Sequence, residues 1–245
     1  MVSFFLEWRK EYGTYWDVSK WCSILVGSLI GLMLKKIPER MKTIVMQALG
    51  LAIVILGISM ALEGEQFLIT VGCLVIGAIL GEWWQIEQRL NDAGDWIERK
   101  VGPKGGESQF AKGFVTASLV YVVGAMAVLG ALDSGLRLDH SLLYTKAMLD
   151  GFTAVLFSSI FGIGVLFSLV PVVLYQGGIA LLAGQIDRVV PAEMLDHFIL
   201  EMTAVGGIMI IAIGLRILGL LHIKVANLLP ALPIVFLCVA VLHYL

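Results

Sequence analysis

The sequence predicts an all-α integral membrane protein, a polytopic bundle of about eight transmembrane helices, and three observations predict it. The 245 residues are 59% hydrophobic and only 15% charged, where a soluble domain is roughly half apolar and a quarter charged. Mean hydropathy is +0.92. Several runs approach the ~20 apolar residues one helix needs to cross the ~30 Å hydrocarbon core. A net charge of −2 leaves no basic excess with which to hold nucleic acid. Cys22, Cys73 and Cys238 each lie in an apolar stretch and read as small buried hydrophobes. The whole chain, 1–245, reads as a single transmembrane domain.

The elements follow in order. Residues 1–12 lack the layout of a cleavable signal peptide, and their mixture of Phe4, Phe5 and Trp8 with Glu7, Arg9 and Lys10 suits the headgroup zone. Crossings are expected at 17–34, 43–62, 67–81, 113–132 and 225–245, with another around 201–216. The run 151–186 holds 36 residues without a charge. As one helix it would be roughly 54 Å long, nearly twice the core thickness. Pro171 and the pair Gly177-Gly178 are therefore expected to divide it into two crossings. Between the third and fourth spans, apolar positions 83, 86, 90, 93, 97 and 101 share one helical face. That makes 83–101 an amphipathic helix at the cytoplasmic interface. The linker 102–112 follows, and its Gly102-Pro103-Lys104-Gly105-Gly106 lacks the Gly-Lys-Ser/Thr ending of a phosphate loop.

Charge sets the orientation. With eight spans, eleven of the seventeen Lys and Arg residues fall on one side and six on the other. The richer side, with Lys35 and Lys36, is then cytoplasmic and both termini lie outside. With 151–186 as one crossing the split becomes ten and seven. Internal echoes favour eight: Met46-Gln47-Ala48-Leu49-Gly50 against Met202-Thr203-Ala204-Val205-Gly206, and 113–119 against 151–156. In an eight-span chain both pairs run antiparallel, as inverted-topology repeats require.

Several of these segments carry a resemblance: Gly27-Ser28-Leu29-Ile30-Gly31-Leu32, Lys35-Lys36-Ile37-Pro38-Glu39, Met46 to Gly50, Glu201-Met202-Thr203-Ala204-Val205-Gly206-Gly207 and Lys224-Val225-Ala226-Asn227-Leu228-Leu229-Pro230. From Gly13 onward the chain resembles the YdfK/YqgA type of bacterial inner-membrane protein, domain of unknown function 554. The resemblance implies a multi-pass protein of the bacterial inner membrane and a transporter-like role without an assigned activity. The family opening resembles Gly-Thr-x-x-Asn, and here Gly13-Thr14-Tyr15-Trp16 is followed by Asp17.

An intramembrane carboxylate needs a partner or a purpose, which makes Glu201 the residue expected to carry an exchangeable charge. Snorkelling toward Asp196 and His197 is the structural alternative. A binding site near the midplane is expected from Gln47, Glu201, Thr203 and Asn227, with Asp17 as a further contributor. Gly177, Gly178, Gly206, Gly207 and Pro230 are expected to break helices and free backbone groups for a ligand. Ser23-Gly27-Gly31 and Cys73-Gly77-Gly81 form small-residue stripes for close helix contact, within one chain or between the copies of a homodimer. His140, His197, His222 and His243 are far apart in sequence, and no zinc, dithiol or nucleophile-elbow motif occurs. No catalysis, cofactor or metal is therefore expected. Asp139-His140-Ser141 reads as the cap of a short external helix. The function expected is secondary transport of a small polar solute or ion, coupled to protons or a cation, with a channel or a membrane scaffold as rivals.

Overall fold

The computed structural model describes residues 15–33, 39–101 and 110–243. The segment 1–12, Lys35, Lys36 and positions 102–109 of the expected linker lie outside the described residues. All regular elements among the described residues are helical. In chain order they are α1 (Tyr15–Met33), α2 (Glu39–Ala61), α3 (Phe67–Trp84), α4 (Ile86–Val101), α5 (Phe110–Val122), α6 (Ala125–Arg137), α7 (Ser141–Phe161), the single turn α8 (Gly164–Phe167), α9 (Leu169–Val189), α10 (Ala192–Ile217), a 3-10 turn (Val225–Leu228) and α11 (Ala231–His243).

Five helical segments are long and apolar enough to cross a membrane: Thr43–Ala61, Phe67–Trp84, Gly164–Val189, Ala192–Ile217 and Val225–His243. The α5–α6 pair, bent by 58°, makes a sixth if taken as one span. The outward faces of these helices carry large apolar side chains such as Ile44, Ile55, Leu68, Val75, Leu174 and Leu237. Exposed apolar area on that scale suits hydrocarbon surroundings rather than water. α10 is the central helix, and nearly all of Glu201 to Gly214 is buried.

Close contacts at small residues set the packing directions. α1 runs parallel to α7, because Gly27 abuts the Gly151 carbonyl while Gly31 abuts Val155 and Ser158. α2 runs antiparallel to α10, with Gly50 against Gly214 and Leu218, and Gly57 against Gly207 and Ile211. α3 runs antiparallel to α11: Gly77 meets Ala231, Gly81 meets Asn227, and Cys73 Sγ lies 3.6 Å from Cys238 Sγ. Both small-residue stripes are thus consumed inside the chain.

The helix breaks differ from those expected. The run 151–186 is divided, but at Gly162 (φ 75°), a conformation that favours glycine. α9 continues unbroken through Gly177 and Gly178. Pro171 is its third residue, where a missing N–H costs nothing because first-turn donors lack intrahelical partners anyway. α10 likewise continues through Gly206 and Gly207. There the glycines serve contact: a Cβ on Gly206 would strike the Val123 side chain, and one on Gly207 would strike the backbone around Met60 and Ala61. Pro230 lies between the 3-10 turn and α11. The expected crossing 113–132 is bent after Val123, where Gly124 has φ 123°. The helix after Asp139-His140-Ser141 is the 21-residue α7, not a short external one.

Candidate functional site

Glu201 is 1% exposed, so its carboxylate lies inside the bundle rather than at the surface. Its Oε1 accepts hydrogen bonds from the backbone N–H groups of Glu65 (2.9 Å) and Gln66 (2.8 Å), and its Oε2 accepts one from the Thr70 hydroxyl (2.9 Å). These donors lie at the N-terminus of α3, where four amides lack intrahelical partners and the dipole favours an anion. Glu201 therefore caps α3 from another helix. A cavity of about 360 Å³ adjoins it, lined in part by Gln66, Glu193, His197 and His243. His197 Nδ1 stands 3.5 Å from Glu65 Oε2.

The other residues expected beside Glu201 are elsewhere. Asn227 binds the opposite end of α3, donating to Glu82 Oε2 (2.6 Å) and accepting from the Glu87 N–H (2.7 Å). Along α3 from position 66 to 81 that is roughly 22 Å away. Thr203 turns back on its own helix, donating to the Ile199 carbonyl at 2.7 Å. Gln47 is exposed on the outer face of α2. Asp17 falls on α1 with its side chain outside the described residues. Among the described side chains of this set, Gln47, Glu201, Thr203 and Asn227 do not converge, because helix rotation and tilt, which sequence depth does not encode, turn them to different ends and faces.

The structure instead buries a charged pair that the sequence reading missed. Asp139 Oδ1 accepts from the Ser141 N–H (2.9 Å) and starts α7. Five residues further on, Lys146 begins a pair with Asp150, Nζ to Oδ1 3.0 Å. Lys146 is 8% exposed and Asp150 3%. Asp150 is the tenth of 21 residues in α7, so the pair lies near the middle of a helix roughly 31 Å long. Around it stand Tyr121 of α5, fully buried and stacked on Phe157 at 6.3 Å, and Thr153, whose hydroxyl donates to the Leu149 and Asp150 carbonyls. Gln176 of α9 donates to the Tyr121 carbonyl at 3.4 Å. The signal in the sequence was the spacing of four, which places both charges on one face. A search for spans as uncharged runs leaves 141–150 outside every crossing, because it holds these two charges.

A third polar cluster closes the other end of the bundle. Gln85 (φ 52°) turns the chain from α3 into α4. Lys224 Nζ and Asn227 both bond Glu82, while Arg216 Nη1 meets Glu87 Oε1 at 2.6 Å and the Ala226 N–H meets Glu87 Oε2 at 3.0 Å. Among the described residues no group of three or more His, Cys, Asp or Glu side chains converges to hold a metal ion.

Apolar outer faces, helices joined through glycine contacts and a lysine–aspartate pair buried among them define a helical membrane protein with charge in its interior. Comparison with known proteins narrows this class. The chain belongs to the family described as Protein of unknown function (DUF554), which matches residues 15–240. It is 34% identical over 225 residues to the uncharacterized membrane protein YdfK of Bacillus subtilis (strain 168), covering 90% of this chain and 93% of that one. It is 29% identical over 214 residues to the uncharacterized protein YqgA of Escherichia coli (strain K12), covering 86% and 89%. No solved structure matches the chain.

Proposed function

We propose that the chain is an eight-span transport protein of the bacterial inner membrane that moves a small polar solute or ion, coupled to proton or cation exchange at the Lys146–Asp150 pair. The observation that carries this reading is the burial of that pair halfway along α7. Ionisable groups inside a membrane bundle are costly to insert and mark ion and proton pathways. Local helix preference does not account for the pair, since a lysine preceding an acid by four residues is the less favourable order.

Support for α7 as a crossing comes from its outward face, where Met148 is 77% and Phe152 68% exposed while both charges face inward. Adding α1 and α7 to the six apolar spans gives eight, and the packing directions of α1 with α7, α2 with α10 and α3 with α11 fit a chain that alternates at every crossing. The reading needs no internal repeat. The two sequence echoes link α2 with α10 and α5 with α7, a nested order, whereas a tandem duplication pairs elements in chain order.

Protonating Asp150 leaves the Lys146 ammonium buried without its counter-charge, a state costly by several kcal/mol. The protein relieves that cost by rearranging α7 against α1 and α5, or by admitting an anion or water to Lys146. Occupancy of the pair thereby biases two arrangements of the bundle, as coupled transport requires. The test is flux in proteoliposomes under an imposed proton or sodium gradient, with a panel of small polar solutes. Asp150→Asn should abolish gradient-driven uptake. Because that variant strands a buried cation, the double variant K146M/D150L serves as the folded control and should also be silent. Wild-type uptake in the double variant would make the pair structural. Conductance far above carrier turnover would favour a channel, and neither activity in the wild type a scaffold.

A further inference from the structure

Where α3 and α10 end and α4 begins, two adjoining cavities share Glu87, Asn91, Arg216 and His222 in their walls. The outer one, about 600 Å³, holds the Glu82–Lys224–Asn227 network. The inner one, about 180 Å³, reaches between α4, α5 and α10 and is walled on its apolar side by Met46, Val115, Phe161 and Ile213.

Four features of the inner cavity converge on one ligand chemistry. In its wall Arg216 is paired with Glu87 at 2.6 Å and Lys112 adds a second cation, so the Lys, Arg and Glu side chains of the lining sum to one excess positive charge. The Arg216 guanidinium is engaged only through Nη1, by Glu87 and by the Ile223 carbonyl (3.2 Å); its Nε and Nη2 make no hydrogen bond among the described residues. Thr116 is 6% exposed and lines the same cavity, and its hydroxyl makes no hydrogen bond among the described residues. That oxygen opens onto the cavity and is not sealed within the protein, so an occupant can bond it without displacing a protein partner. The volume sets the size, since an apolar cavity of about 150 Å³ holds a benzene ring.

We propose that the inner cavity binds a small monocarboxylate, its apolar body of about six carbons lying against Phe161 and Ile213 and its carboxylate meeting Arg216, Lys112 and Thr116. Guanidinium donors suit a carboxylate because their N–H groups match its two oxygens. A single excess charge matches a monoanion, and Glu87 inside the wall repels a phosphate or any dianion. The apolar wall excludes small inorganic anions, which have nothing to bury there. Binding at this cavity is independent of the Lys146–Asp150 pair, which lies on another helix.

The test is calorimetric titration of the purified protein, in nanodiscs of zwitterionic lipid, with benzoate, benzyl alcohol and benzylammonium. Benzoate should bind saturably, benzyl alcohol at least about tenfold more weakly, and benzylammonium not at all. Thr116→Val and Lys112→Met should each weaken benzoate about fivefold with an unchanged melting temperature. K146M/D150L should bind benzoate as the wild type does, so that loss of flux and loss of binding are separable. Equal affinity for benzyl alcohol, wild-type affinity in both cavity variants, or no saturable binding would overturn the proposal. Displacement of benzoate by phosphatidylglycerol nanodiscs would overturn it in favour of a lipid headgroup.

Discussion

Glu201 and Asp150 are both buried carboxylates on helices of this bundle, and they are satisfied by different means. Glu201 is held by two backbone N–H groups and a hydroxyl, all neutral dipoles at the start of α3. Asp150 is held by the Lys146 ammonium four residues earlier on its own helix. A carboxylate fixed by dipoles anchors a loop, and changing its charge leaves three donors facing an acceptor of reduced strength. In an ion pair, loss of one charge creates an opposite charge that must be answered. The first arrangement suits architecture and the second suits a switch.

The largest expected effect tests the ion pair. Asp150→Asn alone should destabilise the detergent-solubilised protein by about 3 kcal/mol or more, because it strands the buried Lys146 ammonium, and Lys146→Met should destabilise it as well. K146M/D150L should recover most of that loss. Exchanging the two residues, K146D/D150K, keeps the pair in the more favourable order for a helix and should also fold. A mild single-variant effect, read from thermal or denaturant melting, would mean that water reaches the pair and would dissolve its contrast with Glu201.

A smaller effect tests the cap. Glu201→Ala leaves the Glu65 and Gln66 amides and the Thr70 hydroxyl without their acceptor and should cost about 2 kcal/mol. Glu201→Gln keeps an oxygen toward the two amides and lets its own NH₂ bond the Thr70 oxygen, so it should cost only about 1 kcal/mol. Hydrogen exchange at the N-terminal amides of α3 should rise strongly in the alanine variant and little in the glutamine variant. Proton-coupled flux should survive in the glutamine variant. If it vanished there, Glu201 and not Asp150 would be the exchanging group.

The smallest effect supplies a reference in water. Asp139 is exposed, and the Ser141 N–H, followed by the Ser141 hydroxyl, holds its carboxyl below the ordinary aspartate range. A depressed folded value means the stabilisation is complete above the unfolded pKa, about 3.9, and disappears as pH falls through the folded one. Asp139→Ala should therefore lower the melting temperature slightly at neutral pH and converge with the wild type in strong acid. A difference that persisted in acid would show that the cap acts by something other than its charge.

Membrane character and most of the spans were legible because hydropathy is a local property, read from neighbouring residues. Breaks and sites were less so. Gly177-Gly178 and Gly206-Gly207 looked like interruptions, yet α9 and α10 pass through both pairs; at Gly206 and Gly207 the absence of a Cβ lets Val123 and the Met60–Ala61 backbone come close. Gly162 and Gly124 had no local mark that set them apart, and their positive φ comes from how the flanking helices pack.

By itself, then, the sequence determined the solvent the protein is built for, the helical class, the family and the approximate places where the chain can cross. The tertiary structure decided which charges end inside. Lys146 and Asp150 share a face by spacing alone, but only the packing of α1, α5 and α6 around α7 makes that face the inner one. Glu201 carries no sign that its partners are amides some 135 residues distant. Burial and long-range hydrogen bonding depend on the azimuth of each helix against its neighbours, and that angle is fixed by side chains far apart in the chain.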